Sequence, residues 1–219
     1  MSARARTAGT KTEKAKAKTK SSAPAQSARA FARPVECWHA EHMRYARLLD
    51  ILEKEIAAFH LGGSPDYELM RDIVHYLHYF PDRHHHPRED VAFERLLHYA
   101  PAMELPVNRL LQEHRVIAAA GEALLQRLEE VSEGALMSRA TVEAAAATYL
   151  VYYRHHIATE EREVLPRAAR LLNERDWAAV AAAVPHGVDP LFGEDFEPRY
   201  RELRRRIEQK LGASLTAAE

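Results

Sequence analysis

Apolar residues recur along this chain at alternating intervals of four and three positions, the spacing of one face of an α-helix. Trp38, His42, Tyr45, Leu49, Leu52, Ile56 and Phe59 form one such seam, and Leu110, His114, Ile117, Gly121, Leu124, Leu128 and Val131 form another. Between them the pattern predicts a helical stretch over about 67–99, and beyond them a fourth over about 139–172 carrying Val142, Ala145, Tyr149, Tyr152, His156, Glu160 and Val164. Breaks fall at 61–66 (LGGSPD), around Pro101 and Pro106, and at 132–138 (SEGALMS), where Gly, Ser and Pro suit helix ends and starts. No useful run alternates with period two. Four long helices with short connections make antiparallel neighbours, so the expectation is an all-α, up-down-up-down four-helix bundle over residues 35–173. Residues 174–219 read as a C-terminal helical extension, an alanine-rich helix, a loop and a final amphipathic helix around 197–211, packed outside the bundle.

Charge separates the head of the chain from the rest. Residues 1–34 hold nine Lys/Arg and one acid, a net of +8; taken from 31 basic and 32 acidic residues overall, that leaves −9 for the remainder. The head has no apolar periodicity, so it reads as a disordered basic tail that could bind polyanions weakly but offers no dedicated nucleic-acid site. No apolar run reaches the length of a membrane span and no secretory pattern is present. Cys37 is the only cysteine, which excludes an intramolecular disulfide and disfavours thiolate metal sites; it is read as inert. Together these features give the expectation of a cytoplasmic protein.

Histidine is the unusual count, at 13, with runs at 84–86 and 155–156. His42, His114 and His156 lie on the apolar seams of their helices, and His85, Glu89, Ala92, Leu96 and Tyr99 keep the same intervals in the second. Residues four apart share a helix face, so His85 with Glu89, and His156 with Glu160, can reach one ion. A lone histidine on such a stripe is usually a hydrogen-bonded core residue. Four of them, one per helix, with two carboxylates on the same faces, would cost several kcal/mol each to bury unpartnered, which metal coordination offsets. Their heights agree: His42 is 18 residues before His60, His85 is 18 after Tyr67, His114 is 17 before Val131 and His156 is 18 after Ser138. At 1.5 Å per residue all four lie about 26 Å from one end of the bundle. Pro81 and Pro87 require a kink or a restart beside His84, His85 and His86, so the pair His86 and Asp90 stands as the alternative to His85 and Glu89.

Over about residues 35–172 these motifs resemble the hemerythrin-like HHE cation-binding family: Glu41-His42, FPDRHHHPRED (80–90), Glu113-His114 and HHIATEEREVLP (155–166). The resemblance implies a four-helix bundle holding a non-haem centre of two irons per chain, with manganese or zinc possible. It implies the ligands His42, His85, Glu89, His114, His156 and Glu160, with Glu161 as the alternative to Glu160. The oxygen carriers of that family have a second histidine four residues on in the third helix, where this chain has Ala118. The match is therefore to the branch with fewer histidines, and simple oxygen carriage is disfavoured. The function implied is sensing, storing or scavenging of a diatomic or peroxide ligand or of labile iron. The alternatives are a di-iron enzyme (peroxidase, nitric-oxide reductase or iron-centre repair factor) and a purely structural metal. No partner protein is indicated. Tyr45, Tyr149 and Tyr152, about one turn from these ligands, read as core aromatics.

Overall fold

The computed structural model describes the backbone of residues 23–60, 63–133, 139–184, 187–193 and 198–212, with side chains from residue 34 onward except 59, 60 and 211. Of the expected tail over 1–34, residues 1–22 lie outside the described residues and 23–34 are helical, the start of the first helix; the Phe59 side chain and most of the 132–138 break also lie outside them. No strand occurs among the described residues: the molecule is a helical bundle. Its helices are α1 (Ala23–His60), α2 (Tyr67–Phe80), α3 (His86–Tyr99), α4 (Glu104–Ser132), α5 (Arg139–Thr159), α6 (Leu165–Leu171), α7 (Glu174–Ala183) and α8 (Arg201–Leu211). A single π-helical turn, Pro81–His85, links α2 to α3, and another, Glu160–Val164, links α5 to α6. None of the described helices is long and apolar enough to cross a membrane.

Helix starts follow local chemistry. Asp66 caps α2 by accepting from the Leu69 N–H at 3.1 Å, and Asn173 with Asp176 forms a capping box on α7. α4 packs along both α2 and α5, and α1 lies against α5. Gly121 permits the close approach of α4: a Cβ there would sit 3.1 Å from Tyr149 Cε2 and 3.5 Å from His78 Nδ1.

Two apolar clusters make the core. One gathers Leu48, Leu49, Leu52, Ile73, Leu77, Ile117, Leu124, Val142 and Tyr149; the other gathers Trp38, Phe93, Leu96, Leu110, Val164, Leu165 and Trp177. The C-terminal segment joins both. Trp177 and Val180 belong to the second cluster, while Leu191, Tyr200, Leu203 and Ile207 belong to the first. Asp189 fastens the loop: it accepts from the Tyr76 hydroxyl at 3.1 Å and from the backbone N–H groups of Leu191 and Phe192 at 2.9 Å.

Candidate metal centre

Following any long helical segment from one apolar cluster to the other crosses a band of polar side chains. On α1 it is His42, between Trp38 and Tyr45; on α4 it is His114, between Leu110 and Ile117. From Phe80 to Ala92 the band holds His85, His86 and Glu89, and from Tyr153 to Val164 it holds His156 and Glu160. These seven residues are all buried, Glu89 and Glu160 completely (0% exposed).

Proline builds the two π turns that aim this band. Pro87 and Pro166 have no N–H to give, and each ring would collide with the carbonyl four residues earlier, at Arg83 and Arg162. Both of those residues lie inside a π turn, where the helix widens to make room. The next residue completes the repair: Arg88 Nε donates to the His84 carbonyl at 2.6 Å, and Arg167 donates to the Glu163 carbonyl. The widened turn also lets adjacent His85 and His86 both face the interior (1% and 4% exposed), which a regular helix, turning about 100° per residue, does not readily allow.

The inward-facing atoms fall into two groups that share both acids. His42 Nε2 and His85 Nε2 lie 2.8 Å apart, at 3.4 and 3.1 Å from Glu89 Oε1, and His42 Nε2 is 3.4 Å from Glu160 Oε2. Across the layer, His114 Nε2 is 3.7 Å from Glu89 Oε2 and 3.6 Å from Glu160 Oε1, and His156 Nε2 is 3.1 Å from Glu160 Oε1. His86 stacks on His114 with ring centroids 4.3 Å apart, and its ligand atom lies within 4.8 Å of those of Glu89, His114 and His156. Glu89 thus turns one oxygen toward His42 and His85 and the other toward His114, while Glu160 turns one toward His42 and the other toward His114 and His156.

The outward nitrogens settle what the inward ones can do. His42 Nδ1 pairs with Glu161 at 2.7 Å, His114 Nδ1 with Asp90 at 2.6 Å, and His85 Nδ1 with Glu41. His86 Nδ1 lies 3.0 Å from Asp82, and His156 Nδ1 lies 3.5 Å from Glu113. A carboxylate accepts, so the Nδ1 atoms of His42, His85 and His114 each donate outward and their Nε2 atoms are the ones turned to the interior. Both oxygens of Glu89, both of Glu160, and the Nε2 atoms of His86, His114 and His156 are buried with no hydrogen-bond partner among the described residues. Orphaned buried polar atoms cost about 1–3 kcal/mol each, so seven converging on one layer are a donor set for cations rather than a packing error. Imidazole with carboxylate suits iron, manganese or zinc.

Charge tells the same story in the metal-free chain. Burial alone would lower the pKa of His42, but the hydrogen bond to Glu161 and the charges of Glu89 and Glu160 raise it to about 10. His114 likewise rises to about 10 against burial, through Asp90, Glu160 and Glu89. His86 is lowered to about 4 by burial and by neighbouring His114. Burial and the Glu89 charge push the Glu160 pKa upward, yet His156 and His114 bring it down to about 2; Glu89, beside His85 and His42, is held well below the usual carboxylate range. Two buried acids are thus kept ionised, and protons on histidine balance them where a cation would.

All six residues expected as ligands (His42, His85, Glu89, His114, His156 and Glu160) meet in this layer. The two alternatives have other places. Glu161 lies at the rim between His42 and His39, and Asp90 lies on the outer side of His114. His86 is not an alternative to His85 but stands beside it. Glu41 and Glu113, each next to a histidine in sequence, serve the histidine of a different helix. The four-residue spacing of His86 to Asp90 and the nearby prolines offered His86 only as a substitute for His85, not as a partner to it. Tyr152 is 41% exposed, and the buried aromatic is Tyr153, whose ring lies 5.9 Å from that of His86. Tyr45 lies as expected, 5.3 Å from His85.

Compared with known proteins, residues 33–168 match the family model described as the hemerythrin HHE cation binding domain. No curated protein and no solved structure matches the chain.

Proposed function

Because the chain belongs to the hemerythrin HHE cation binding domain family, we propose that its buried His/Glu layer holds two non-haem iron ions. The observation that carries this is that Glu89 lies in both groups of imidazoles, His42/His85 and His86/His114/His156, and that Glu160 reaches His42 on one side and His114 and His156 on the other. His42 and His85 would help hold one ion and His86, His114 and His156 the other, with Glu89 and Glu160 lying between the two groups. A bound pair of irons supplies redox reactivity toward dioxygen, peroxide or nitric oxide. The chain itself supplies inward-facing Nε2 atoms, oriented by the outer carboxylates, and a dry setting between two apolar clusters. The band is crossed in opposite directions by successive segments, which supports an up-down-up-down four-helix arrangement over 35–173, with 174–219 as an added helical segment.

We read the role as sensing, storing or scavenging a small diatomic or peroxide ligand or labile iron, since among the described residues no serine or cysteine nucleophile and no carboxylate or histidine base stands beside the layer apart from the candidate ligands and their carboxylates. The fewer donors on the His42/His85 side keep the enzymatic reading in play: sustained consumption of peroxide or nitric oxide would establish it, and stoichiometric binding would favour the sensor. The deciding experiment is metal content per chain after anaerobic purification, with absorption spectra before and after air. About two irons, with near-ultraviolet bands developing in air, are expected. Stoichiometric zinc, or one ion and no spectral change, would reduce the site to a structural or mononuclear one.

A further inference from the structure

Four tyrosines, Tyr45, Tyr76, Tyr149 and Tyr153, are fully buried (0% exposed) in the apolar cluster on one side of the histidine layer. The hydroxyls of Tyr45, Tyr149 and Tyr153 have no hydrogen-bond partner among the described residues. Tyr76 differs: its hydroxyl donates to the Asp189 carboxylate, 3.1 Å from both oxygens. We propose that Tyr76 is a redox-active tyrosine, giving one electron to the histidine layer across Tyr45 while its phenolic proton passes to Asp189.

The proton decides which ring can be oxidised. A buried phenol that loses only an electron becomes a cation among apolar side chains, which is costly. If the proton leaves with the electron, a neutral radical remains, so the site must supply a base within hydrogen-bond reach. Asp189 is that base. Its side chain is only 13% exposed, and burial raises its pKa, so it takes a proton more readily than an ordinary carboxylate. The N–H groups of Leu191 and Phe192 both hold Oδ1, at 2.9 Å, which leaves Oδ2 for the proton, with Arg44 3.9 Å away. Tyr45, Tyr149 and Tyr153 have no such acceptor, so the radical does not rest on them.

The electron has a short way to go. The rings of Tyr76 and Tyr45 lie 6.4 Å apart between centroids, and Tyr45 meets His85 edge to face at 5.3 Å. Two ring contacts therefore join the phenol to a candidate ligand. On the far side Tyr200 packs edge to face on Tyr76 at 5.9 Å, its hydroxyl 3.2 Å from Nδ1 of the part-exposed His75. The file of rings thus reaches the surface, where a small soluble reductant can restore the electron. His75 is the weaker base of the two, its pKa lowered by burial and by Arg199, so the radical settles on Tyr76 rather than Tyr200.

This inference rests on the iron reading of the layer and takes a peroxide as the oxidant. Reduction of hydrogen peroxide to two waters consumes two protons from solvent and two electrons, one from Tyr76 and one from ferrous iron held in the layer. The Tyr76 O–H bond breaks, an O–H bond forms on Asp189, and a phenoxyl radical remains.

In the test, iron-loaded full-length protein is oxidised by one electron per chain with ferricyanide and mixed with one equivalent of hydrogen peroxide. Samples are freeze-quenched and read by electron paramagnetic resonance, with iron content and helix content measured alongside. A radical signal is expected that narrows when the tyrosines carry ring deuterium. Tyr76→Phe should lose it. Asp189→Asn can still accept from Leu191 and Phe192 but cannot take the proton, so it should lose most of the signal. Tyr149→Phe and Tyr153→Phe should keep it. No radical in protein holding two irons, or a signal that survives Tyr76→Phe, would overturn the proposal and leave the metal reading standing. Should Tyr76→Phe lose its iron or its fold, Asp189→Asn decides, and an undiminished signal there is equally fatal. A chain that takes up no iron overturns both readings.

Discussion

Asp90 and His114, on different helices, are joined by a 2.6 Å hydrogen bond between Oδ1 and Nδ1. The same bond recurs with its halves exchanged. Asp90 stands five residues after His85 and orients His114, while Glu161 stands five residues after His156 and orients His42 at 2.7 Å. Glu41 and Glu113 complete the exchange by serving His85 and His156. Each half of the bundle therefore supplies acids that set histidines of the other or of its own second segment. Replacing Asp90 with Asn, or Glu161 with Gln, should lower metal affinity about 10–100-fold. Thermal stability should change little, because both carboxylates are partly exposed (44% and 29%). Competition against a chromophoric chelator measures the first effect and thermal melts the second.

The shared acids should behave differently from their outer neighbours. Glu89→Ala and Glu160→Ala each remove an oxygen from both groups of imidazoles, so metal content should fall well below two per chain. Elemental analysis of the purified variants decides it; retention of two ions in both would refute the shared-carboxylate centre.

His86 makes the two halves unequal, since Ile157 occupies the corresponding place after His156. The trio side offers one more imidazole than the pair side, so anaerobic titration of the metal-free chain should show two unequal steps. His86→Ala should weaken the tighter step by about tenfold or more and leave the other nearly as it was. His155→Ala, changing an exposed neighbour, should alter neither. A wild-type-like titration for His86→Ala would remove it from the ligand set.

Protons and cations should exchange at this layer. In the metal-free chain His42 and His114 hold protons up to about pH 10, above the roughly 6.5 of an unfolded histidine. Their contribution to stability is full below 6.5 and lost as pH rises toward 10. His86, held near 4, works in the opposite sense: its contribution is lost as pH falls from 6.5 toward 4. Stripped protein should therefore be most stable near pH 6.5 and lose roughly 5 °C or more in melting temperature by pH 10. Loaded protein should show little alkaline loss, because the ion has replaced the protons. Parallel curves for the two forms would argue against that exchange.

Much of this site was legible because a strict interval of four and three carries a side chain along one face of an unbroken helix. His42, His114, Glu89 and Glu160 follow from that interval alone. His86 stood only as the alternative to His85, because having both face inward depends on a widened turn, and spacing rules assume a constant pitch. Pro87 hinted at the irregularity, but the matching Pro166-Arg167 gave no sign of repeating it. The choice of Tyr152 over Tyr153 failed for another reason. In the run ATYLVYYRHH nearly every position before Arg154 is apolar or aromatic, so no polar residue fixes which side faces in. The outer acids were invisible as such, since a glutamate beside a histidine in sequence points elsewhere on a helix.

The C-terminal segment has a consequence for anyone dividing this molecule. The family match ends at residue 168, yet Leu191, Tyr200, Leu203 and Ile207 share an apolar cluster with Tyr45 and Tyr76. Asp189 also ties that segment to Tyr76. A chain trimmed to the matched interval would bare a greasy flank one helix away from the histidines and strip Tyr76 of its Asp189 acceptor. Such a fragment should cling to itself before it could be loaded with metal, so the piece that carries the family's signature is smaller than the piece that can stand alone.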